Sequence, residues 1–345
     1  MTNKKLIIIL LAIVLTAVSI FFISKHKMPG DQFQVNEIES LAKIRIGWQI
    51  PWATQGQITQ ILKHTDILKK NGLEAEFIGR VYGPVLNEIA LANGIDVVFT
   101  ADQPAAALFS KDKGWIGVGR LMYNRTLTYV PLNSSITSIK ELKGKTIGIP
   151  IGAAAERITM EALERNGLNP EKDVEIINVG IMEQSPLVLK GGKDASEWGK
   201  IDALSGFDPT PAIFQSKELI RTLDIGKVCS LVLMNQNFIS SHPDVAKNMM
   251  QSIFDAYDYY RQHREQANQW FIAEAQLKDA DNKTCDIAAS IELNVWAKER
   301  KDIRVSFIDE DYEIMQKGAD FLQDKLGKKV DMRKFVSNKY TEGVE

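Results

Sequence analysis

Asn87-Glu-Ile-Ala-Leu-Ala-Asn-Gly-Ile-Asp-Val-Val-Phe-Thr100, NEIALANGIDVVFT, decides the fold. Leu86, Ile89 and Ala90 keep helical spacing, Asn93-Gly94 stops that helix, and Ile95–Thr100 is a short, mostly apolar run of the buried-strand type. The same alternation surrounds it. Ile44–Trp48 reads as a strand, and Ile58, Ile61, Leu62, Thr65 and Leu68 give a helix face that ends at Asn71-Gly72. Glu74–Ile78 is a strand again. Strand and helix in regular turn predict an α/β fold with largely parallel strands.

Further along, Leu127–Pro131 is extended and opens a second unit. Lys145–Pro150 is a strand that leads through Gly152 into a helix over Ala153–Asn166, stopped by Gly167. Val174–Val179 and Ile201–Leu204 continue the strand series. Val228–Asn235 is one extended apolar run, and the rest is predominantly helical. Val245, Met249, Ile253, Ala256 and Tyr260 follow His242-Pro243 at spacings of three and four, and a last helix spans Asp309–Leu326.

At 345 residues the chain exceeds one average domain, so two lobes are expected. The 42 basic and 44 acidic residues nearly cancel, and no basic stripe with interleaved aromatics marks a nucleic-acid partner. Leu6 to Ile23 is uncharged and apolar, flanked by Lys4-Lys5 and Lys25. This is an export segment, either a cleaved signal peptide or a retained membrane anchor within residues 1–27, and residues 28–42 form a tether. No cysteine lies there, which excludes a bacterial lipoprotein anchor. Cys229 and Cys285 fit one disulfide or two separate thiols. His26, His64, His242 and His263 have no ligand spacing, so neither a metal nor a cofactor is expected.

Catalytic motifs fail one after another: there is no GxSxG, no GxxxxGK[ST] and no HExxH. Gly117-Val-Gly119 lacks a third glycine and sits inside a strand-like run, which argues against a dinucleotide site. What remains are strand-to-helix junctions, where open α/β sheets place ligands. The first is GWQIPWATQGQ, Gly47 to Gln57, with Gln49 and Trp52 as candidate contacts and Trp48 assigned to the core. The second offers Asp102 and Gln103 ahead of Pro104, with an N-cap as the plainer role of Asp102. The third, Gly152-Ala153-Ala154, presents backbone N–H groups at a helix start, suited to an anion or to close packing. The fourth pairs Phe207 with Asp208, where a core aromatic and a turn-forming Asp-Pro are the plainer reading.

Taken in order, these junctions resemble those of the periplasmic solute-binding proteins of the nitrate, sulfonate and taurine type, a group that also holds thiamine-pyrimidine-related binding proteins. Ile44–Gly47, Asn87–Thr100, Asp202-Ala203, Asp208-Pro209 and the helix after His242-Pro243 carry the resemblance. Ile139-Lys-Glu-Leu-Lys-Gly-Lys-Thr-Ile-Gly-Ile-Pro150 is its most specific piece. The resemblance implies a type II periplasmic-binding-protein clamshell, preceded by an N-terminal apolar helix. Lobe 1 would be 43–126 and 234–345 and lobe 2 would be 127–233, joined by crossover strands near Leu127–Pro131 and Val228–Leu233.

The resemblance further implies a small ligand held between the lobes by Gln49, Trp52, Asp102, Gln103, Tyr123, Asn124, Gly152, Ala153, Ala154, Phe207 and Asp208. The protein would then be a monomeric, extracytoplasmic subunit of an importer, with a membrane permease and a cytoplasmic ATPase as partners. One departure bears on the ligand: Ala153-Ala-Ala155 stands where sulfonate binders often place hydroxyl residues. A small organic anion and a planar heterocycle both remain expected ligands. An enzyme on the same fold, using His64 or Asp102, and a sensor ectodomain are the alternative functions.

Overall fold

Eight strands form one sheet in the computed structural model, which describes residues 41–345, apart from the side chains of residues 195, 197 and 324–326. They are β1 (Ala42–Gln49), β2 (Leu73–Arg80), β3 (Val97–Ala101), β4 (Trp115–Pro131), β5 (Thr146–Ile149), β6 (Glu175–Asn178), β7 (Ala203–Phe207) and β8 (Ile220–Asn235). The apolar run at 6–23 and all but the last two residues of the 28–42 tether lie outside the described residues. Among the described residues no helix is long and apolar enough to cross a membrane.

The helices are α1 (Gln55–His64), α2 (Ile67–Lys70), α3 (Gly83–Leu91), α4 (Asp102–Lys111), α5 (Ala154–Arg165), α6 (Ile181–Gly191) and α7 (Thr210–Ser216). Then come α8 (Gln236–Ser241), α9 (Val245–Gln262), α10 (Arg264–Glu274), α11 (Asn282–Ala288) and α12 (Asp309–Leu326). The predicted single helix over Ile58–Asn71 starts earlier, at Gln55, and breaks at Thr65. The Thr65 hydroxyl donates to the Ile61 carbonyl at 2.7 Å while its own backbone turns extended, the local competition that Thr offers a helix.

The strand order is β2-β1-β3-β8-β4-β7-β5-β6. From either edge it repeats one plan. β1 lies parallel between β2 and β3, β5 lies parallel between β6 and β7, and the long antiparallel pair β4 and β8 fills the middle. β8 pairs with β3 through 230–234, whereas β4 pairs with β7 through 126–129. The two long strands therefore belong to both halves, as expected of a clamshell with two crossovers.

Each crossover strand is longer than its sequence suggests. Arg120, Asn124 and Arg125 interrupt the apolar pattern of β4, yet 16 of its 17 residues are buried, and each of these three side chains has a buried partner in Glu292, Ala53 or Asp208. β8 likewise begins at Ile220, ahead of the apolar run at Val228.

Two core clusters cover the faces of the first half. One packs Ile44, Ile46 and Trp48 against α1 and α9, and the other packs Val98 against α3, α4 and α12. Trp48 is 1% exposed and belongs to the first cluster, as expected. Burying each such side chain stabilises the fold by about 1.5–3 kcal/mol. Gly117 and Gly119 are packing glycines rather than a phosphate loop. A Cβ on Gly117 would meet Val336 at 2.7 Å, and one on Gly119 would meet Met250 at 2.3 Å.

Candidate functional site

The carboxyl ends of the parallel strands of both halves open onto one cleft of about 310 Å³. Gln49 and Trp52 line it after β1, Ala101 and Pro104 after β3, Pro150 to Ala154 after β5, and Phe207 at the end of β7. All four junctions singled out from the sequence meet there. Two more junctions join them: Tyr82, Gly83, Pro84 and Val85 after β2, and Asn178 and Gly180 after β6. The available signal was the Gly83-Pro84 pair between a strand and a helix; nothing local marks Asn178.

Trp52 and Phe207 face each other across the halves, their ring centroids 5.8 Å apart and edge-on, a favoured aromatic geometry. Both are nearly buried and share one cluster with Ala101, Ala154, Ile158, Ile181 and Val228. The glutamines of the first junction divide by role. Gln55 Oε1 accepts from the Gln49 amide at 2.7 Å and Gln57 Nε2 donates to Asn268 at 3.4 Å, so both serve the start of α1. Gln49 lines the cleft, and its side-chain oxygen has no protein partner; the same holds for Trp52 Nε1 and Gln103 Oε1.

Three side chains clasp the halves together. Asp102 Oδ2 meets the Arg157 guanidinium at 3.1 Å, with both residues buried, and Arg157 also pairs with Glu161 at 3.0 Å. Gln103 Nε2 donates to the Gly152 carbonyl at 3.4 Å. The Tyr82 hydroxyl reaches the start of α6, 3.6 Å from where a Cβ on Gly180 would stand. Burial pushes the Asp102 carboxyl above its ordinary range, while Arg157 and the Cys229 and Gln103 amides pull against that push. Asp102 opens α4, and its Oδ1 accepts from the amide of the next residue, Gln103, at 2.7 Å rather than acting as an N-cap.

The remaining predicted contacts are not among the residues that line the cleft. Asn124 lies in β4, donating to the Ala53 carbonyl at 2.7 Å and accepting from Ser230 at 2.6 Å. Tyr123 stacks under Arg120 and Lys227, 4.1 and 4.4 Å from the ring centroid. Asp208 forms a buried pair with Arg125 at 2.6 Å and accepts from the Ala212 amide at the start of α7. Their polar groups are drawn into the long strands and the helix start, where burial demands partners. His64 stacks on Trp270 and does not line the cleft. Cys229 and Cys285 are separate buried thiols.

Two halves of matching strand plan with a cleft between them define a type II periplasmic-binding-protein fold. Over residues 65–267, more than half of its length, the chain matches the sequence pattern of the family described as "NMT1/THI5 like", and it belongs to that family. No curated protein sequence matches it significantly. Among solved structures it is similar to the alkanesulfonate-binding protein SsuA from Xanthomonas axonopodis pv. citri bound to MOPS. The TM-score is 0.66 at 17% identity, over 86% of this chain and 98% of that one. It is similar also to the periplasmic aliphatic sulphonate binding protein SsuA from Escherichia coli, with TM-score 0.66, 17% identity and coverage of 86% and 92%. A cysteine-to-serine variant of DszB in complex with biphenyl-2-sulfinic acid matches at TM-score 0.64 and 14% identity, over 88% and 98%. At these identities the likeness establishes the fold.

Proposed function

We propose that this protein is the solute-binding component of an ATP-driven importer. It captures a small, partly planar organic molecule between its lobes and delivers it to a membrane permease. The observation that carries this reading is the cleft itself. Aromatic rings from opposite halves, Trp52 and Phe207, face each other across a space of about 310 Å³, within the range of small-ligand sites. Lobe 1 is assigned 43–126 and 234–345 and lobe 2 127–233, with β4 and β8 as the connection about which they close. The clasps from Asp102, Gln103 and Tyr82 support a closed state that releases solute when they part.

The contacts proposed for the solute are Gln49, Trp52, Gly152, Ala153, Ala154 and Phe207, to which the cleft adds Tyr82 and Asn178. Asp102 and Gln103 act through closure. Among the described residues that line the cleft, Tyr82 is the only titratable one, which supports capture rather than turnover. The apolar run at residues 6–23 supports an extracytoplasmic location, with that run as signal or anchor.

The test is a thermal-shift screen of the purified protein against sulfonates, taurine, nitrate, pyrimidines and aromatic acids. A ligand at a hundred times its Kd stabilises by about 2.7 kcal/mol, a readily measured shift. A hit whose binding quenches tryptophan fluorescence, and which Trp52→Ala weakens at least tenfold, supports the reading. No shift with any compound sinks it.

A further inference from the structure

α12 packs into the first half through Met315, Ala319 and Leu322, which share a core cluster with Val98, Ala105 and Phe109. Its first turn, however, is fastened to the crossover strands. β8 pairs with β3 only through 230–234 and β4 with β7 only through 126–129. Residues 123–125 of β4 and 227–229 of β8, paired with each other, therefore carry the connection between the halves. Glu310 meets Lys227 at 2.6 Å and accepts from the Tyr123 hydroxyl at 3.4 Å. Asp311, fully buried, accepts from Arg304 and stands 3.8 Å from the Cys229 thiol, while Arg304 also donates to the Tyr123 hydroxyl at 3.2 Å.

About two turns further along, α12 meets the Asp102 clasp. Gly318 is buried in the interior of this helix, a position where alanine is the better helix former. Proximity explains the glycine. A Cβ on it would lie 3.1 Å from Asp102 Oδ1, 3.2 Å from Asp102 Cγ and 3.3 Å from the Gln103 nitrogen, each closer than the best separation of non-bonded heavy atoms. Asp102 is held on its other sides: Oδ1 accepts from the Gln103 amide at 2.7 Å, and Oδ2 from Arg157 at 3.1 Å and the Cys229 amide at 3.3 Å. α12 also packs on α5, the helix that carries Arg157.

We infer that Gly318 is a positioning residue for closure. Its missing side chain lets α12, seated on the crossover through Glu310 and Asp311, come close enough to hold the Asp102 carboxylate aimed at Arg157. A methyl group there has to displace Asp102 or lift α12 by a few tenths of an ångström, and either movement disturbs the contact with Arg157. A buried ion pair offsets its desolvation only in good geometry, so the closed state suffers more than the fold of either half. This role rests on the reading of Asp102 and Arg157 as a clasp between closing lobes.

The experiment uses the ligand-free protein, so it needs no identified solute. It compares the unaltered protein with Gly318→Ala, Asp102→Asn and the double variant, and takes Gly119→Ala as the control for crowding inside the first half, where a Cβ would meet Met250 at 2.3 Å. Small-angle scattering reads closure, and urea titration reads stability. Acrylamide quenching, corrected with the Trp52→Phe counterpart of each protein, reads the exposure of Trp52, which is 3% in this structure. Gly318→Ala should raise the radius of gyration toward that of Asp102→Asn and increase Trp52 quenching at least about twofold as the closed population shrinks. Its urea midpoint should fall less than that of Gly119→Ala, which should leave scattering and quenching unchanged. The double variant should open no further than Asp102→Asn, because the clasp is already cut.

Gly318→Ala as closed as the unaltered protein, while Asp102→Asn opens, overturns the inference and leaves the clasp standing. So do opening that adds in full to that of Asp102→Asn, opening by Gly119→Ala to the same extent, and loss of cooperative unfolding in Gly318→Ala. If Asp102→Asn itself stays closed, the clasp falls and this role with it, whereas a hit in the solute screen still supports the cleft.

Discussion

Arg120 and Arg157 are each 1% exposed and each faces a carboxylate that is fully buried, yet the two pairs do different work. Arg120 grips Glu292, whose oxygens also accept from the Tyr123 amide at 2.6 Å and the Asn294 amide at 3.0 Å. That pair fastens the segment after α11 onto β4 inside the first half, beside Asp311 and Arg304. Arg157 and Asp102 come from opposite halves and meet behind the cleft. Desolvation makes any buried pair a poor source of net stability, but losing one partner strands a charge. The same chemistry therefore acts as a permanent rivet in one place and as a clasp in the other.

The largest expected effect falls on the rivet. Glu292→Ala leaves Arg120 only its longer contact with Asp311 at 3.6 Å and deprives two buried backbone donors of their acceptor, and should lower unfolding free energy by about 3–5 kcal/mol in urea titrations. A loss below about 1 kcal/mol would break the comparison at its stronger end.

Asp102→Asn should behave otherwise. The asparagine oxygen can still accept from one of the two amides, Gln103 or Cys229, and Arg157 keeps Glu161. Global stability should fall by less than about 2 kcal/mol, while apparent affinity for a cleft ligand drops about tenfold as the closed population shrinks. Small-angle scattering should show the ligand-free variant more open. If the variant unfolds as readily as Glu292→Ala and stays as closed as the unaltered protein, Asp102 is a rivet too.

The pH dependence sharpens the same point. Burial raises the folded-state pKa of Asp102. The stability linked to its proton is fully present below the ordinary carboxylate pKa and is lost as pH rises through the raised value. The unaltered protein should therefore gain stability relative to Asp102→Asn as pH falls from 7 toward the ordinary carboxylate range, in paired urea titrations. No change in the difference would place the carboxyl outside this linkage.

An exposed ion pair supplies the weak limit. Lys227 and Glu310 lie 2.6 Å apart with side chains 37% and 52% exposed, so Lys227→Gln should cost no more than about 1 kcal/mol, less in high salt. The smallest effect is expected at the thiols. Burial pushes the Cys285 thiol up to about 12 and raises that of Cys229 well above its ordinary value, so iodoacetamide should label neither before unfolding. Labelling of Cys285 in the folded protein would reveal opening of the α10–α11 region, where it packs beside Phe271.

The fold and the first ring of the site were legible because both are written in short-range pattern. Helical spacing ending at Asn93-Gly94, followed by Val97-Val-Phe-Thr100, identifies a parallel α/β unit, and small or aromatic residues mark the junctions at Trp52, Gly152 and Phe207. Tyr123 and Asn124 were expected at the ligand through the resemblance alone, because a buried strand containing Arg120, Asn124 and Arg125 cannot be told from a surface segment until Glu292, Ala53 and Asp208 are in place.

By itself, then, the sequence determined an α/β chain with ligand-type junctions at the ends of its strands, since strand and helix periods are properties of neighbours. Only the tertiary structure decided that Tyr82 and Asn178 share the cleft with Trp52, and that Asp102 reaches Arg157 across it. Those facts depend on groups that lie far apart in the chain or belong to separate elements, and the burial that brings them together also requires each charge and each amide to find its partner.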